Sequence, residues 1–111
     1  MTKAVLKKQN GLWTSLEVSG HSGYSTAGSD IVCAGISATV INSLNLIIKL
    51  LGKNVKFTEN QEEGYMKLEV IKNNFNQSSR EFLELTVENL YESLQQISDI
   101  YPNHLKIKIE K

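Results

Sequence analysis

The sequence predicts a single α+β domain that spans residues 1–111, with strands and helices in the order ββαββαβ. Two observations predict it. Five segments alternate apolar and polar residues, as half-buried strands do, and they come as two pairs and a last single segment. Two longer segments repeat apolar residues at spacings of three and four, as amphipathic helices do, and each follows one pair of strands. Two helices packed on one face of a mostly antiparallel sheet would bury these apolar faces in one core.

The first pair of strands is predicted over residues 3–9 and 12–19. Asn10-Gly11 lies between them, and this dipeptide strongly favours a tight β-hairpin turn. Alternation in the second strand predicts that one face carries Leu12, Thr14, Leu16 and Val18, and that the other carries Trp13, Ser15, Glu17 and Ser19.

The first helix is predicted from Asp30 to about Leu51, after a loop over residues 20–29 that is rich in glycine and serine. Ser29 is a good N-cap, and Gly52 is a natural C-terminal cap. The apolar stripe predicted for this helix contains Cys33, Ser37, Val40, Ile41, Leu44, Ile47, Ile48 and Leu51.

The second pair of strands is predicted over residues 54–60 and 64–72, and a closing strand over residues 104–110. Between them, the segment 78–81 resembles a capping box that begins a second helix, which runs to about Ile100. The stripe predicted for this helix contains Phe82, Leu85, Val87, Leu90, Leu94, Ile97 and Ile100. Its solvated face is predicted to contain Glu84, Glu88, Glu92 and Gln95.

The charge of the chain argues against a nucleic-acid partner. Twelve basic and twelve acidic residues give zero formal net charge, and Arg80 is the only arginine. A neutral chain has no overall field that attracts nucleic acid, and bidentate recognition of phosphate or guanine relies on arginine. We therefore expect no direct contact with nucleic acid. A local lysine patch stays open, because Lys106 and Lys108 alternate on one strand face, but a solvated edge is the favoured interpretation.

The single cysteine, Cys33, excludes an internal disulfide framework and any multi-cysteine metal site. We expect neither a metal nor a cofactor. A lone thiol fits a reducing compartment, and the N-terminus lacks the apolar run of a signal peptide. The longest apolar segment, residues 36–51, is too short and too polar to span a bilayer. A cytoplasmic protein that does not enter the membrane is expected.

Cys33 and His21 form a candidate nucleophile and base. Cysteine attacks as the thiolate, and the unpaired N–H groups in the first turn of a helix stabilise a nearby negative charge. Cys33 is about four residues into the predicted helix, and His21 lies twelve positions before it on the preceding loop. The alternative is an inert core cysteine, because Cys33 shares the apolar stripe of its helix and cysteine is often buried.

The segment from Gly28 to Ala38, together with Gly20-His21, resembles the signature of the bacterial ribosomal-processing cysteine proteases, called Prp. The family spacing of a histidine, eleven residues and a cysteine is kept. The resemblance implies that Cys33 is the catalytic nucleophile and His21 the general base. It also implies that Asp30 and Ser37 support the site.

The resemblance further implies a substrate and a quaternary state. Proteases of this family remove a short N-terminal extension from the large-subunit ribosomal protein L twenty-seven during ribosome assembly, and the family is homodimeric. We expect the loop that carries Gly20, Gly23 and Gly28 to contact the substrate. Two alternatives remain from the residues themselves: a non-catalytic, ribosome-associated interaction module, and a thiol hydrolase that acts on a small thioester or amide.

Overall fold

The computed structural model describes residues 1–20 and 27–111, and side chains over residues 1–20 and 31–111. The elements follow the predicted order. They are β1 (Thr2–Gln9), β2 (Leu12–Ser19), α1 (Ala27–Leu51), a 3₁₀ turn (Gly52–Asn54), β3 (Val55–Asn60), β4 (Tyr65–Val70), α2 (Gln77–Ile100) and β5 (Leu105–Glu110).

The five strands form one sheet in the order β3-β4-β2-β1-β5. All neighbouring strands are antiparallel except β1 and β5, which are parallel. The mostly antiparallel sheet that the sequence predicts is therefore confirmed. Both helices pack on one face, and the core between the layers contains Ala4, Leu6, Leu16, Val18, Leu68 and Leu105 from the strands.

The turn between β1 and β2 has the predicted geometry, but the faces of β2 differ from the prediction. Asn10 and Gly11 have φ angles of 54° and 78°, as the favoured hairpin turn requires. Lys7 pairs with Ser15 and Lys8 with Trp13, so Thr14 is an extra residue in β2. This β-bulge reverses the alternation. Trp13 is consequently buried in the core, and Leu12, which was predicted to share the face of Leu16, is 39% exposed.

Helix α1 begins three residues before the predicted start, at Ala27 rather than Asp30, so Ser29 lies within its first turn. The buried stripe also differs from the predicted one. It consists of Val32, Ile36, Val40, Ser43, Leu44, Ile47 and Leu51. The stripe is therefore rotated by one position over the first half of the helix, which leaves Ile41 43% exposed.

Helix α2 also begins earlier than predicted. Its N-cap is Asn76, whose Oδ1 accepts a hydrogen bond of 2.8 Å from the Ser79 N–H, and not the Ser78 of the predicted capping box. The predicted solvated face is wrong at Glu84, because this half-buried carboxylate accepts a 3.1 Å hydrogen bond from the Trp13 N–H. The buried residues of α2 are Leu83, Val87, Leu90 and Leu94.

One helical segment, Ile31–Asn54, is long and apolar enough to cross a membrane by length and composition, with a mean hydropathy of 1.9. This segment is longer than the apolar segment over residues 36–51, which was predicted to be too short to span a bilayer. The same segment supplies the α1 stripe of the core, which packs against the sheet and α2. About a third (33%) of an 18-residue apolar window in this segment is buried inside the protein, so packing in the core accounts for only part of its apolar composition.

Candidate active site

Cys33 lines a groove with a volume of about 270 Å³, at the end of the sheet where β2 ends and β4 begins. Helix α1 forms one wall, and the turn between β3 and β4 forms another. The groove is lined by Thr2, Val18, Gly20, Cys33, Ile36, Ser37, Ile41, Glu59, Gln61, Gly64, Tyr65 and Met66. The residues from α1, β2 and the start of β4 make much of this lining apolar.

Cys33 lies beside the buried stripe of α1 and not within it. Its neighbours on the stripe, Val32 and Ile36, are each 3% exposed, whereas Cys33 is half-buried and faces the groove. The rotation of the stripe produces this position. Because the thiol borders an open groove, the structure does not support the interpretation of Cys33 as an inert core residue.

The position of Cys33 along α1 differs from the expected one. Since the helix begins at Ala27, Cys33 is its seventh residue and lies in the second turn. Only the first four N–H groups of a helix lack a partner within it. The N–H groups next to Cys33 therefore belong to the hydrogen-bond ladder of the helix. They are not the unpaired first-turn groups that the sequence predicted beside the thiolate.

Ser37 is brought to the same groove as Cys33, as predicted from its place one turn later on the helix. Its side chain is exposed. Asp30 and Gly28 lie in the first turn of α1, before the range over which side chains are described. His21 and Gly23 lie outside the described residues.

Gly20 occupies a position that no other residue type fits. Its φ of +89° is in the left-handed region, and a Cβ there would lie 2.6 Å from the carbonyl oxygen of Met1. The end of β2 can approach the start of β1 this closely only because Gly20 has no side chain. Since both Gly20 and Thr2 line the groove, this contact shapes the wall from which the chain continues to His21.

Three further groove residues, Glu59, Gln61 and Tyr65, belong to no motif in the sequence. The Nε2 of Gln61 donates to the Oε1 of Glu59 at 3.3 Å, and Glu59 is the charged side chain among the described groove residues. The phenol of Tyr65 donates to Glu17 at 2.7 Å, and this hydrogen bond, together with burial, raises the pKa of Tyr65. No local pattern marks these residues, because the pairing of β3, β4 and β2 brings Glu59, Gln61 and the start of β4 to the groove. The phenol of Tyr65, bonded to Glu17, lies on the face of the sheet opposite the helices.

No group of three or more histidine, cysteine, aspartate or glutamate residues in the described part of the chain is arranged to hold a metal ion. The chemistry that this part of the groove offers is that of a thiol beside an apolar channel. Such a thiol can attack the carbonyl carbon of a bound acyl compound.

The family model for cysteine protease Prp matches residues 1–106. The chain belongs to the Prp family of cysteine proteases. As a member of this family it is a hydrolase that acts on peptide bonds, and the expectation from the sequence signature is confirmed at this level.

Two bacterial relatives support the assignment to this family. The ribosomal processing cysteine protease Prp of Bacillus subtilis is 29% identical over 93 residues, which cover 84% of this chain and 82% of the relative. The protein of the same name from Staphylococcus aureus is 25% identical over 107 residues, 96% of each chain.

The fold is shared with solved structures. The crystal structure of SMU.848 from Streptococcus mutans superposes with a TM-score of 0.83 at 27% identity, covering 99% of this chain and 94% of that one. The S. aureus protease Prp in complex with a substrate peptide gives a TM-score of 0.81 at 22% identity, covering 99% and 100%. At that identity the second comparison establishes the fold alone.

Proposed function

We propose that this protein is the endopeptidase that removes the N-terminal extension of the large-subunit ribosomal protein L twenty-seven during ribosome assembly, with Cys33 as nucleophile and His21 as general base. The observation that carries the proposal is the half-buried position of Cys33 at the wall of an open groove, in a chain of the Prp family. The relatives from B. subtilis and S. aureus are named as ribosomal processing proteases, which supports this substrate class.

The reaction proceeds in two halves. The thiol of Cys33 transfers its proton to His21, and the sulfur attacks the carbonyl carbon of the scissile peptide bond to give a tetrahedral intermediate. The intermediate collapses as the C–N bond breaks, and His21 returns the proton to the leaving amine. Water then attacks the thioester, with His21 again accepting a proton, and the acid product leaves Cys33 as a thiol.

The chain path supports the pairing of these two residues. Gly20 lines the groove that Cys33 borders, and His21 is the next residue in the chain. The residue that precedes the proposed base in the sequence is therefore a described residue of the groove wall. We propose that Ser37, one turn after Cys33, holds the rotamer of the thiol or bonds the loop. Asp30 is the fourth residue of α1 and so not its N-cap, and its proposed role is to orient His21.

The lining of the groove suits the substrate that the family resemblance implies. Val18, Ile36, Ile41 and Met66 border it, and apolar side chains near a scissile bond gain free energy on leaving water for such a surface. The extension that Prp proteases remove is rich in apolar and aromatic residues near the cleavage point. We assign the reaction to the cytoplasm, where ribosomal proteins are assembled.

Incubation of the protein with a peptide that spans the extension and the mature N-terminus, followed by mass spectrometry, tests the proposal. The wild type is expected to release two fragments, and Cys33→Ala is expected to release none. His21→Ala is expected to lower the rate by about 10²-fold or more, the usual contribution of a general base. His104→Ala is the matched control, because His104 lies in the turn before β5 and is not among the described groove residues.

Two outcomes would contradict the proposal. Cleavage that persists in Cys33→Ala would exclude this residue as the nucleophile. Absence of cleavage by a folded wild type, combined with rapid alkylation of Cys33 by iodoacetamide, would favour a thiol hydrolase for small thioesters or amides. Circular dichroism of each variant shows whether the fold is kept.

A homodimer is the quaternary state that we propose. The outer face of α1 is exposed and apolar, with Ile31 67% and Ile41 43% exposed and the small residues Ala34 and Ala38 between them. Spacings of three and four place these residues on one side of the helix, which suits close packing against a second copy. Ala38→Glu is expected to give a monomer by light scattering, whereas Asn89→Glu, on the exposed surface of α2, is expected to leave the dimer intact.

A further inference from the structure

The sheet has one face that the helices do not cover, and this open face is basic. Alternation along the strands places six lysines and three glutamates on it, a net charge of +3. They are Lys3, Lys7, Lys56, Lys67, Lys106 and Lys108, with Glu17, Glu69 and Glu110. On the opposite side of the molecule, α2 carries five acidic residues and one arginine, a net charge of −4. A chain of zero net charge therefore folds into a molecule with one basic and one acidic side.

The positive charge is concentrated where β1 and β5 pair. Lys3 lies directly beside Lys106 in the parallel register, and Lys108 follows two residues later on the same strand. Neighbouring strands are about 4.8 Å apart, and like charges opposite one another destabilise a sheet. Within the described ranges, no carboxylate lies within 4.0 Å of the ammonium groups of Lys3 or Lys106. The arrangement disfavours the isolated fold and suits an anionic partner.

The remaining cations of this half are only loosely neutralised. Lys7 and Lys108 share the carboxylate of Glu110, at 3.9 Å and 4.0 Å. The side chain of Lys108 is 72% exposed, so this contact is a surface pair and contributes little to stability. Phosphate groups could replace the Glu110 carboxylate at Lys7 or Lys108 with little loss of folding stability.

The chemistry of the face selects among anionic partners. Among the strand residues, Leu12 is the one exposed large apolar side chain that alternation places on this face, and it lies at the hairpin end of β2. Beside Lys3, Lys106 and Lys108 the described strands expose no large apolar side chain of the kind that inserts into a lipid surface or forms the centre of a stable protein interface. Lysine ammonium groups bind phosphates as point charges, and the single arginine of the chain, Arg80, lies in α2 and not on this face. A regular row of phosphates matches these properties.

We propose that the open face binds the phosphate backbone of RNA, without reading its sequence, through Lys3, Lys106 and Lys108. The choice of RNA among polyanions rests on the proposed function, since a ribosomal protein substrate is assembled onto RNA. The expectation of no nucleic-acid contact came from the zero net charge of the whole chain and from its single arginine. Neither quantity shows that the fold separates the charges.

The test measures binding of a labelled, mixed-sequence RNA by fluorescence anisotropy over a series of salt concentrations. The variant Lys3→Gln/Lys106→Gln/Lys108→Gln, called the face variant, removes three positive charges from the open face. The matched control, Lys49→Gln/Lys53→Gln/Lys72→Gln, removes the same charge from exposed lysines elsewhere. Three phosphate contacts predict a slope of log affinity against log salt of about −2 for single-stranded RNA.

The face variant is expected to bind the RNA about tenfold or more weakly at low salt and to lose most of the salt dependence. The affinity of the control variant should stay within about twofold of the wild-type value. Equal losses in the two variants, or no binding by the wild type at low salt, would overturn the proposal. So would displacement of the RNA by polyglutamate at equal charge concentration, because an acidic polypeptide would then be the better partner.

The peptide cleavage assay separates this inference from the proposed function. None of the three face lysines lines the Cys33 groove, so the face variant is expected to cleave the peptide at the wild-type rate. Retained cleavage with wild-type RNA affinity would refute the RNA-binding face alone. Bound RNA without peptide cleavage by the wild type would refute the protease substrate and leave the face standing.

Discussion

Gly20→Ala is expected to destabilise the protein by more than the left-handed backbone alone explains. An alanine at a φ of +89° is strained by about 1–2 kcal/mol. Its Cβ would also lie 2.6 Å from the carbonyl oxygen of Met1, which is a backbone atom and cannot rotate away. Separating the two chain segments adds about 1–3 kcal/mol, the usual range for overpacking. The free energy of unfolding should therefore fall by about 2–5 kcal/mol.

Gly11→Ala is the matched control, because it isolates the strain. Gly11 has a φ of +78°, and nothing lies within 4 Å of a Cβ built there. This substitution should lower the free energy of unfolding by only about 1–2 kcal/mol. Urea unfolding followed by Trp13 fluorescence measures both values. The difference between the variants corresponds to about 4–12 °C in melting temperature, at about 4 °C per kcal/mol for a domain of this size.

Equal losses in the two variants would refute the argument that Gly20 is required by the approach of Met1. A second comparison uses the chain from which Met1 has been removed, as verified by mass. Without the carbonyl of Met1, Gly20→Ala and Gly11→Ala should lower the free energy of unfolding by the same amount. Gly20→Ala should also slow peptide cleavage, because the displaced segments form a wall of the Cys33 groove.

Two further substitutions test contacts of α2. Asn76→Ala should lower the free energy of unfolding by about 1 kcal/mol, as loss of an N-cap does. Ser78→Ala, at the N-cap predicted from the sequence, should change it little. The reverse order would contradict the observed start of α2. Glu84→Ala should cost about 1–3 kcal/mol because the Trp13 N–H loses its acceptor, and Glu84→Gln, which keeps an acceptor, should cost less. Burial raises the pKa of Glu84 above its ordinary value of 4.5, so the folded state keeps this proton to a higher pH than the unfolded chain does. The free energy of unfolding therefore falls as the pH rises from below 4.5 through the raised pKa of Glu84. Glu84→Gln should flatten this fall, as measured by urea titrations at several pH values. An unchanged pH profile would exclude Glu84 as the source of the fall.

The elements of this protein could be predicted from its sequence because their signals are local. Asn10-Gly11 determines the first hairpin through backbone angles that few other dipeptides adopt. The strands and helices follow from spacings of two and of three to four. The bulge at Thr14 could not be predicted, since it depends on how β1 and β2 align across the sheet. It is the reason that the faces of β2 were assigned wrongly at Trp13.

The candidate site was predictable only in part. The sequence signature drew attention to Cys33 and Ser37, and the structure places both at one groove. The period of the apolar stripe could not show whether Cys33 lies in the core or beside it, because one residue on a helix turns the side chain by about 100°. Packing against the sheet decided this, and it left Cys33 half-buried.

The sequence by itself determined which segments become strands and helices, and it supplied the motif that shows the family. Only the tertiary structure decided that β5 lies parallel to β1, that the turn after β3 faces α1, and that the lysines gather on one side. The physical reason is the range of the forces involved. Backbone preferences and apolar periodicity act over a few residues, whereas strand pairing joins residues about a hundred positions apart, such as Lys3 and Lys106.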